Sequence, residues 1–356
     1  MIPAYNQVLT EPDAKAVYDV VMSQYITHLG KETKELEEKF AAFCNRKYAI
    51  TMSNGTTALH LAIKILNLDK KGTIIIPSCT FASVGFAPSY DGYKLEILDV
   101  DERTWNLDLD LVEKACKDHL VSAVIAVHNY GNPVDMDRLL KLANVYGFKI
   151  IEDACEALTA KFDSKPTGSF GDVSVFSFYG NKLITGGEGG MLLVNDPALN
   201  ERARFYRGQA QSAKRRFWHE EVGFNYRMTN IQSALIMSQF KRISALSSHA
   251  KSLAMTYQDR LPGLKFQETH WKGEHSWWMV SVLGNDGFGE RAAKLLQSKG
   301  VETRPVFPPL SDMPAFSNSV CPVARKLNSN GITLPGGPGL TLYQAAEIAD
   351  TLGSIT

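Results

Sequence analysis

Residues 48–66 read YAITMSNGTTALHLAIKIL: a short apolar run, a glycine-containing turn and then apolar residues spaced as on one face of a helix. The run predicts a strand over Tyr48–Met52, and the later spacing predicts a helix over Thr56–Leu66. The alternation continues, with strands expected at Thr73–Pro77, Leu95–Val100, Ala123–His128, Lys149–Glu152, Asp172–Ser177 and Met191–Val194, and helices at Asp110–Asp118 and Asp135–Tyr146. This pattern is typical of an α/β protein, here a large α/β/α domain around a mostly parallel sheet.

Thr229–Leu253 contains no proline or glycine and predicts one long helix. The sequence pattern changes after this segment. A strand at Trp277–Val282, a helix at Arg291–Lys299 and the proline-rich residues 304–314 then indicate a smaller α+β unit. We therefore predict a large domain over residues 1–245 and a small C-terminal domain over residues 246–356.

Composition excludes several classes of partner. The 356 residues contain 38 Lys plus Arg and 38 Asp plus Glu, so no overall charge attracts nucleic acid or an anionic membrane. The N-terminus lacks a basic segment followed by an apolar one, and no apolar run approaches the roughly 20 residues of a membrane span, so a cytoplasmic protein is expected. Five scattered cysteines without a CxxC pair suggest neither a disulfide framework nor a metal site.

The turn Ser53-Asn-Gly-Thr-Thr57 lies between a predicted strand and a predicted helix. The first turn of a helix has free backbone N–H groups and the positive end of the helix dipole, which together suit a phosphate. A plain capped turn is the alternative, since such joints are common in this class of fold.

Asp153 follows an apolar strand and is expected at its carboxyl end, the edge where ligands bind in open α/β sheets. A carboxylate there can hold a protonated ring nitrogen, or it can simply cap the next helix.

Lys182 follows the predicted strand that ends at Ser177 and precedes the glycine-rich turn Gly186–Gly190. Most lysines are solvated cations and poor nucleophiles at neutral pH. Apolar neighbours such as Phe178 and Ile184 could desolvate this amine, and the glycines allow close approach of the backbone to a ligand. A surface lysine and a functional amine are both compatible with this pattern.

Asn225 and Arg227 lie just before the predicted long helix, in a loop at the expected domain junction. Junctions are common ligand sites. The alternative is a structural arginine paired with Glu220 or Glu221.

These elements, in this order, resemble the DegT/DnrJ/StrS family of pyridoxal phosphate-dependent nucleotide-sugar aminotransferases, and the likeness covers nearly the whole chain. Within the family, the motifs are most similar to those of the GDP-perosamine synthases, through Phe176-Ser-Phe-Tyr-Gly-Asn-Lys182, Gly187-Glu-Gly-Gly190, Asn225-Tyr-Arg-Met-Thr-Asn230 and Glu302-Thr-Arg-Pro-Val-Phe307. The resemblance implies a fold-type I aminotransferase that forms a homodimer with active sites at the subunit interface.

The resemblance also implies roles for residues of this chain. Lys182 would form the Schiff base with the cofactor, Asp153 would pair with the ring nitrogen, and Phe81 would stack on the ring. Glu156 would lie near the phenolic oxygen of the cofactor. The phosphate would be held by Gly55, Thr56 and Ser177, with Asn225 reaching it from the other subunit, and His219 and Arg227 would lie near the substrate.

The implied reaction moves an amino group from glutamate to a nucleotide-linked 4-keto-6-deoxyhexose, with GDP favoured, to give a 4-amino-4,6-dideoxy sugar for surface glycans such as the O-antigen of lipopolysaccharide. The alternatives are a UDP- or dTDP-linked substrate aminated at C4 or C3, a sugar dehydratase, a non-catalytic homologue and an aminotransferase of free amino acids. The dehydratase branch carries histidine at the lysine position, whereas this chain has Lys182.

One segment departs from the resemblance. Perosamine synthases typically read Pro-Val-Phe-Tyr-Pro-x-His in the small domain, whereas this chain has Pro308 and Ser311 at the Tyr and His positions. Loss of an imidazole near the expected sugar site would change which hydroxyl groups the site can bind.

Overall fold

The computed structural model describes residues 1–316 and 319–355. Its helices are α1 (Glu11–Ser23), α2 (Lys31–Phe43), α3 (Gly55–Leu66), α4 (Ser83–Tyr90), α5 (Leu109–Asp118), α6 (Met136–Tyr146), α7 (Pro197–Arg207), α8 (Asn230–Phe240), α9 (Ile243–Arg260), α10 (Phe288–Ser298), α11 (Pro322–Asn330) and α12 (Leu342–Gly353). Short 3-10 helices occupy Asn129–Gly131 and Leu310–Asp312. Within the described ranges, no helix has the length and apolarity needed to cross a membrane.

The strands are β1 (Tyr48–Met52), β2 (Thr73–Pro77), β3 (Lys94–Leu98), β4 (Val121–Val127), β5 (Lys149–Asp153), β6 (Lys161–Phe162), β7 (Lys165–Pro166), β8 (Val173–Ser177), β9 (Gly190–Val194), β10 (Lys265–Phe266), β11 (Gly273–Glu274), β12 (Val280–Leu283), β13 (Arg304–Pro305) and β14 (Gly331–Leu334). The seven strands predicted in the first 200 residues are all present, and each end lies within two residues of its predicted position.

These seven strands form one sheet in the order β1-β9-β8-β5-β4-β2-β3. β9 runs antiparallel to both neighbours, and the other pairs of the sheet are parallel. The predicted α/β class with a mostly parallel central sheet is therefore confirmed.

The central sheet is covered on both faces. In β2, Ile74 and Ile76 belong to one apolar cluster and Ile75 to another, because successive side chains of a strand point to opposite faces. Each of these fully buried side chains contributes about 1.5–3 kcal/mol of hydrophobic stabilisation. Helix α3 lies against β8 and β9 with most of its residues buried, which fixes its first turn at the edge of the sheet.

A second sheet of four antiparallel strands has the order β10-β12-β14-β13. Its apolar cluster includes residues of α9, α10 and α12. The N-terminal residues lie beside this sheet, since Ile2 bridges to Val301 and Tyr5 bridges to Gly336. Helix α9 spans the boundary proposed at residue 245, and the division into domains stays a prediction.

The single helix predicted over Thr229–Leu253 is wrong: the structure has α8 and α9 in its place, separated at Lys241 and Arg242. The guanidinium of Arg242 pairs with the buried carboxylate of Asp13 in α1. This contact comes from a distant part of the chain, and it favours a turn that local helix propensity does not predict.

The strand predicted over Trp277–Val282 begins three residues later, at Val280. Trp277 has a left-handed backbone with φ 54°, and its ring stacks on His275 with the centroids 3.8 Å apart. The backbone therefore bends at Trp277 before it enters β12.

Candidate active site

A cleft of about 490 Å³ opens at the carboxyl edge of the central sheet. The turn after β1, the end of β5 and the end of β8 meet there, because the parallel strands end on the same side. The cleft is lined by Asn54, Gly55, Thr56, Thr80, Phe81, Ser83, Val84, Val127, Asp153, Cys155, Glu156, Ser177, Tyr179, Asn181, Lys182, Glu188, Trp278, Arg304 and Phe307.

Most residues expected from the sequence to hold the cofactor lie together in this cleft. They are Gly55, Thr56, Phe81, Asp153, Glu156, Ser177 and Lys182. Asn225, His219 and Arg227 do not line it in this chain.

One corner of the cleft is formed by the start of α3. Asn54 caps the helix, and its side chain accepts a hydrogen bond from the backbone N–H of Thr57 at 2.9 Å. A Cβ atom on Gly55 would lie 3.0 Å from Cβ of Ser177 and 3.1 Å from Sγ of Cys155, so glycine is what allows this close approach. The first-turn N–H groups have no partner within their own helix, and this corner is suited to a phosphate.

Lys182 lines the same cleft from the loop after β8, where its backbone N–H donates to the carbonyl of Tyr179 at 2.9 Å. The side chain is largely buried. Its Nζ lies 4.0 Å from Oε1 of Glu156 and 3.7 Å from the ring centroid of Trp278. The structure therefore places this lysine in the cleft and not on the open surface.

Two buried carboxylates line the same cleft. Burial raises the pKa of Glu156 to about 7, and the backbone N–H of Tyr130 donates to its Oε2 at 2.7 Å. Burial also raises the pKa of Asp153, whose Oδ1 accepts from the backbone N–H of Cys155 at 3.0 Å. A cationic ring nitrogen beside Asp153 would offset this penalty and favour the ionised form.

Phe81 supplies a flat apolar surface. Its side chain is 58% exposed although it lines a cleft, and its ring centroid lies 6.3 Å from that of Phe307. An exposed aromatic ring at such a position is suited to stacking on a planar ligand. Together, the α3 corner, Asp153 and Phe81 fit a phosphate-bearing aromatic cation.

Several cleft residues had no role in the sequence-based prediction. Trp278 comes from the bend before β12, and no local pattern connects it with Lys182. Arg304 and Phe307 were noted only as parts of a motif, and they now bring a guanidinium and a second aromatic ring to the cleft. The adjacent tryptophans Trp277 and Trp278 were the only sequence signal at that bend.

The loop that carries Asn225, His219 and Arg227 lies beside the cleft. The carbonyl of Tyr226 accepts from the backbone N–H of Ser53 at 2.9 Å, so the loop contacts the turn that precedes α3. Asn225 is exposed, and Nδ1 of His219 lies 2.9 Å from the carbonyl oxygen of Gln209. Arg227 donates to Oε1 of Gln209 at 3.5 Å. The structure therefore shows this contact in place of the pairing with Glu220 or Glu221 that was the alternative from sequence.

The two departures from the family resemblance, Pro308 and Ser311, lie outside the cleft lining. Ser311 is fully buried, with its Oγ 3.1 Å from Oγ of Ser78 at the end of β2. Pro308 is exposed. From this segment, Arg304 and Phe307 line the cleft.

Known proteins resemble this chain in sequence and in fold. The sequence model of the DegT/DnrJ/EryC1/StrS aminotransferase family matches residues 7–353. The chain is 35% identical to a GDP-perosamine synthase of Escherichia coli O157:H7 over 99% of this chain and 97% of that protein. It is 30% identical to EpsN of Bacillus subtilis, named as a pyridoxal phosphate-dependent aminotransferase, over 94% of this chain and 91% of that protein. Among solved structures, S. venezuelae DesV matches with a TM-score of 0.90 and 29% identity, over 96% of this chain and 93% of that one.

Proposed function

The chain belongs to the DegT/DnrJ/EryC1/StrS aminotransferase family, and we propose that it aminates a GDP-linked 4-keto-6-deoxyhexose in the cytoplasm with glutamate as the donor. It is a pyridoxal phosphate-dependent sugar aminotransferase. The proposed product is a 4-amino-4,6-dideoxy sugar for surface glycans. The observation that carries the choice of sugar is the similarity to the E. coli GDP-perosamine synthase along nearly the whole chain.

We propose that residues around the cleft hold each part of the cofactor. The N–H groups at Gly55 and Thr56 and the hydroxyl of Ser177 would hold the phosphate, and Phe81 would lie against one face of the ring. Asp153 would pair with the ring nitrogen and keep it protonated. Bound in this way, pyridoxal phosphate supplies an aldehyde carbon that takes up amines and a ring that withdraws electrons.

Lys182 would carry the cofactor between turnovers and act as the base once an amino donor has displaced it. Its Nζ would then take the proton from the α-carbon of the donor. Oε1 of Glu156 lies 4.0 Å from Nζ of Lys182, and the pKa of Glu156 is about 7, so this carboxyl group can both accept and release a proton near neutral pH.

Both substrates are anions and need cations to bind. Arg304 brings a guanidinium to the cleft, and such a group binds a carboxylate or a phosphate with two parallel hydrogen bonds. We propose that His219 and Arg227 contribute from the neighbouring loop, and that Asn225 reaches the phosphate corner of a second copy of the chain. A homodimer is supported by the exposed apolar residues in and after α1, which include Tyr18, Met22, Tyr25 and Leu29.

The test is direct amination. Purified protein loaded with glutamate is mixed in turn with GDP-, UDP- and dTDP-linked 4-keto-6-deoxyhexoses, and the products are identified by mass. We expect the GDP-linked sugar to gain an amine and a Lys182→Ala variant to give no product. Faster turnover of a UDP- or dTDP-linked sugar would overturn the choice of nucleotide. Turnover of free 2-oxo acids without any sugar product would overturn the sugar assignment.

A further inference from the structure

The indole of Trp278 makes two contacts with the Lys182 loop. Its ring centroid lies 3.7 Å from Nζ of Lys182. Its Nε1 donates a hydrogen bond of 2.7 Å to the backbone carbonyl of Asn181. The same side chain therefore holds the backbone just before the lysine and faces the amine of the lysine.

The position of the indole is fixed by its own surroundings. Trp278 is 8% exposed, and it follows the bend at Trp277 that leads into β12. Its ring is stacked on Tyr130, with the centroids 6.4 Å apart and 17° between the planes. Tyr130 also donates from its backbone N–H to Glu156, so one residue supports both groups that face the amine.

The charges near Nζ explain why an aromatic partner matters. The titratable groups facing it are Glu156 at 4.0 Å, Asp153 and Cys155. Burial raises the pKa of each, and that of Glu156 is about 7, so part of the nearest carboxyl population is neutral at physiological pH. The negative face of an aromatic ring attracts an ammonium group whether or not the neighbouring carboxyl group is ionised.

We propose that Trp278 is a positioning residue that holds the amine of Lys182 in the cleft after the lysine leaves the cofactor, and that it stabilises the ammonium form once this amine has taken up a proton. The inference rests on the proposed function, in which the lysine leaves the cofactor and rejoins it in every catalytic cycle. The indole of Trp278 keeps the amine beside Glu156 and within the cleft, so the lysine side chain does not turn towards solvent between uptake and delivery of the amino group.

The experiment measures the reactivity of Lys182 in the full-length protein without cofactor. A trace of acetic anhydride is added at a series of pH values between about pH 7 and 11.5, a range that includes the ordinary lysine midpoint, and acetylation of Lys182 is quantified by peptide mass against the exposed Lys299. Trp278→Phe keeps a ring and loses the N–H donor, whereas Trp278→Met loses the ring and keeps much of the bulk. Circular dichroism and thermal unfolding check that each variant is folded.

For Trp278→Met, we expect the half-maximal labelling of Lys182 to move to lower pH by about 0.5–1.5 units, because the ammonium form loses its aromatic partner. Trp278→Phe should stay within about 0.5 units of the unsubstituted protein. A purely structural role would change the labelling rate at all pH values and leave its midpoint in place. That result, or an equal shift in both variants, would overturn the proposal.

If Trp278→Met does not fold, replacement of tryptophan by trifluorotryptophan during expression provides the second test. Fluorine weakens the ring face and leaves the shape of the indole and its N–H in place. A downward shift of the labelling midpoint would support the proposal, and an unchanged midpoint would overturn it. Because the assay contains neither cofactor nor sugar, failure of the proposed sugar amination would not alter either outcome.

Discussion

Asp153 and Glu156 are separated by two residues and line the same cleft, yet their positions suit them to different proposed roles. Asp153 ends β5 at the cleft and accepts a hydrogen bond from the backbone N–H of Cys155, so its carboxylate is suited to a cation. Glu156 lies beside Nζ of Lys182 and has a pKa of about 7, which suits proton exchange. Their positions relative to the strand, more than their residue type, distinguish the two roles.

Replacement of Asp153 by Asn keeps the size of the side chain and removes its charge. We expect kcat for amine transfer to fall by about 100-fold or more, because the ring nitrogen loses the anion that keeps it protonated. Steady-state kinetics measure the effect. Asp118→Asn, at an exposed position at the end of α5, is the matched control and should leave kcat unchanged. Full activity of Asp153→Asn would show that Asp153 does not have the proposed role at the ring nitrogen.

Glu156 should make the stability of the cofactor-free protein depend on pH. Its folded-state pKa is raised from 4.5 to about 7, so between these values the folded protein binds a proton that the unfolded chain releases. The free energy of unfolding therefore loses about 2–3 kcal/mol between pH 5 and pH 8 through this group alone. Urea unfolding gives the free energy of unfolding of the original protein and of Glu156→Gln at each pH. Any excess in the free energy of unfolding of the original protein over that of the variant should shrink or reverse as pH rises. A pH-independent difference would contradict the assignment.

Helix α3 determines the shape of the phosphate corner through its first turn. Gly55→Ala would place a Cβ atom 3.0 Å from Cβ of Ser177 and narrow that corner. We expect the dissociation constant of pyridoxal phosphate to rise at least about tenfold while the thermal stability changes little, because alanine is a better helix former than glycine. Titration followed by absorbance measures the binding. Gly263→Ala, where a Cβ atom meets nothing within 4 Å, is the control and should bind normally.

We expect the break between α8 and α9 to depend on the pairing of Arg242 with Asp13 of α1. Arg242→Ala would leave the buried Asp13 carboxylate without its cation, so we expect a loss of about 3 kcal/mol in the free energy of unfolding. Removal of the exposed partner Lys294, which pairs with Glu290 within α10, should cost at most about 0.5 kcal/mol. Equal stability of the two alanine variants in urea would show that the α1 contact does not hold this break.

The proposed dimer gives each active site a lysine from one copy and Asn225 from the other. Lys182→Ala and Asn225→Ala should each be nearly inactive by themselves. Unfolded together and refolded as a mixture, they should recover roughly a quarter of the original activity, since mixed dimers contain one intact site. Sedimentation confirms the dimer. If the mixture shows only the summed activity of the two variants, the sites are not shared between copies.

How well each feature could be predicted depends on how far apart in the sequence the interacting residues lie. The central strands and the position of Asp153 could be predicted because they depend on local apolar runs and on where each strand ends. The local pattern left Lys182 compatible with a surface position, and only the family resemblance assigned it to the site. Contacts between segments far apart in the chain could not be predicted from the sequence. Arg242 pairs with Asp13 more than 200 residues away, and the indole of Trp278 reaches Lys182 only because the backbone bends at Trp277.

The attachment of the cofactor tests the central claim most directly. The purified protein is loaded with pyridoxal phosphate, reduced with borohydride and digested, and the peptide that carries the added mass is sequenced by mass spectrometry. We predict that Lys182 alone carries it, with about one cofactor per chain. Attachment at another lysine, or no covalent attachment in a protein that still aminates the sugar, would contradict the account.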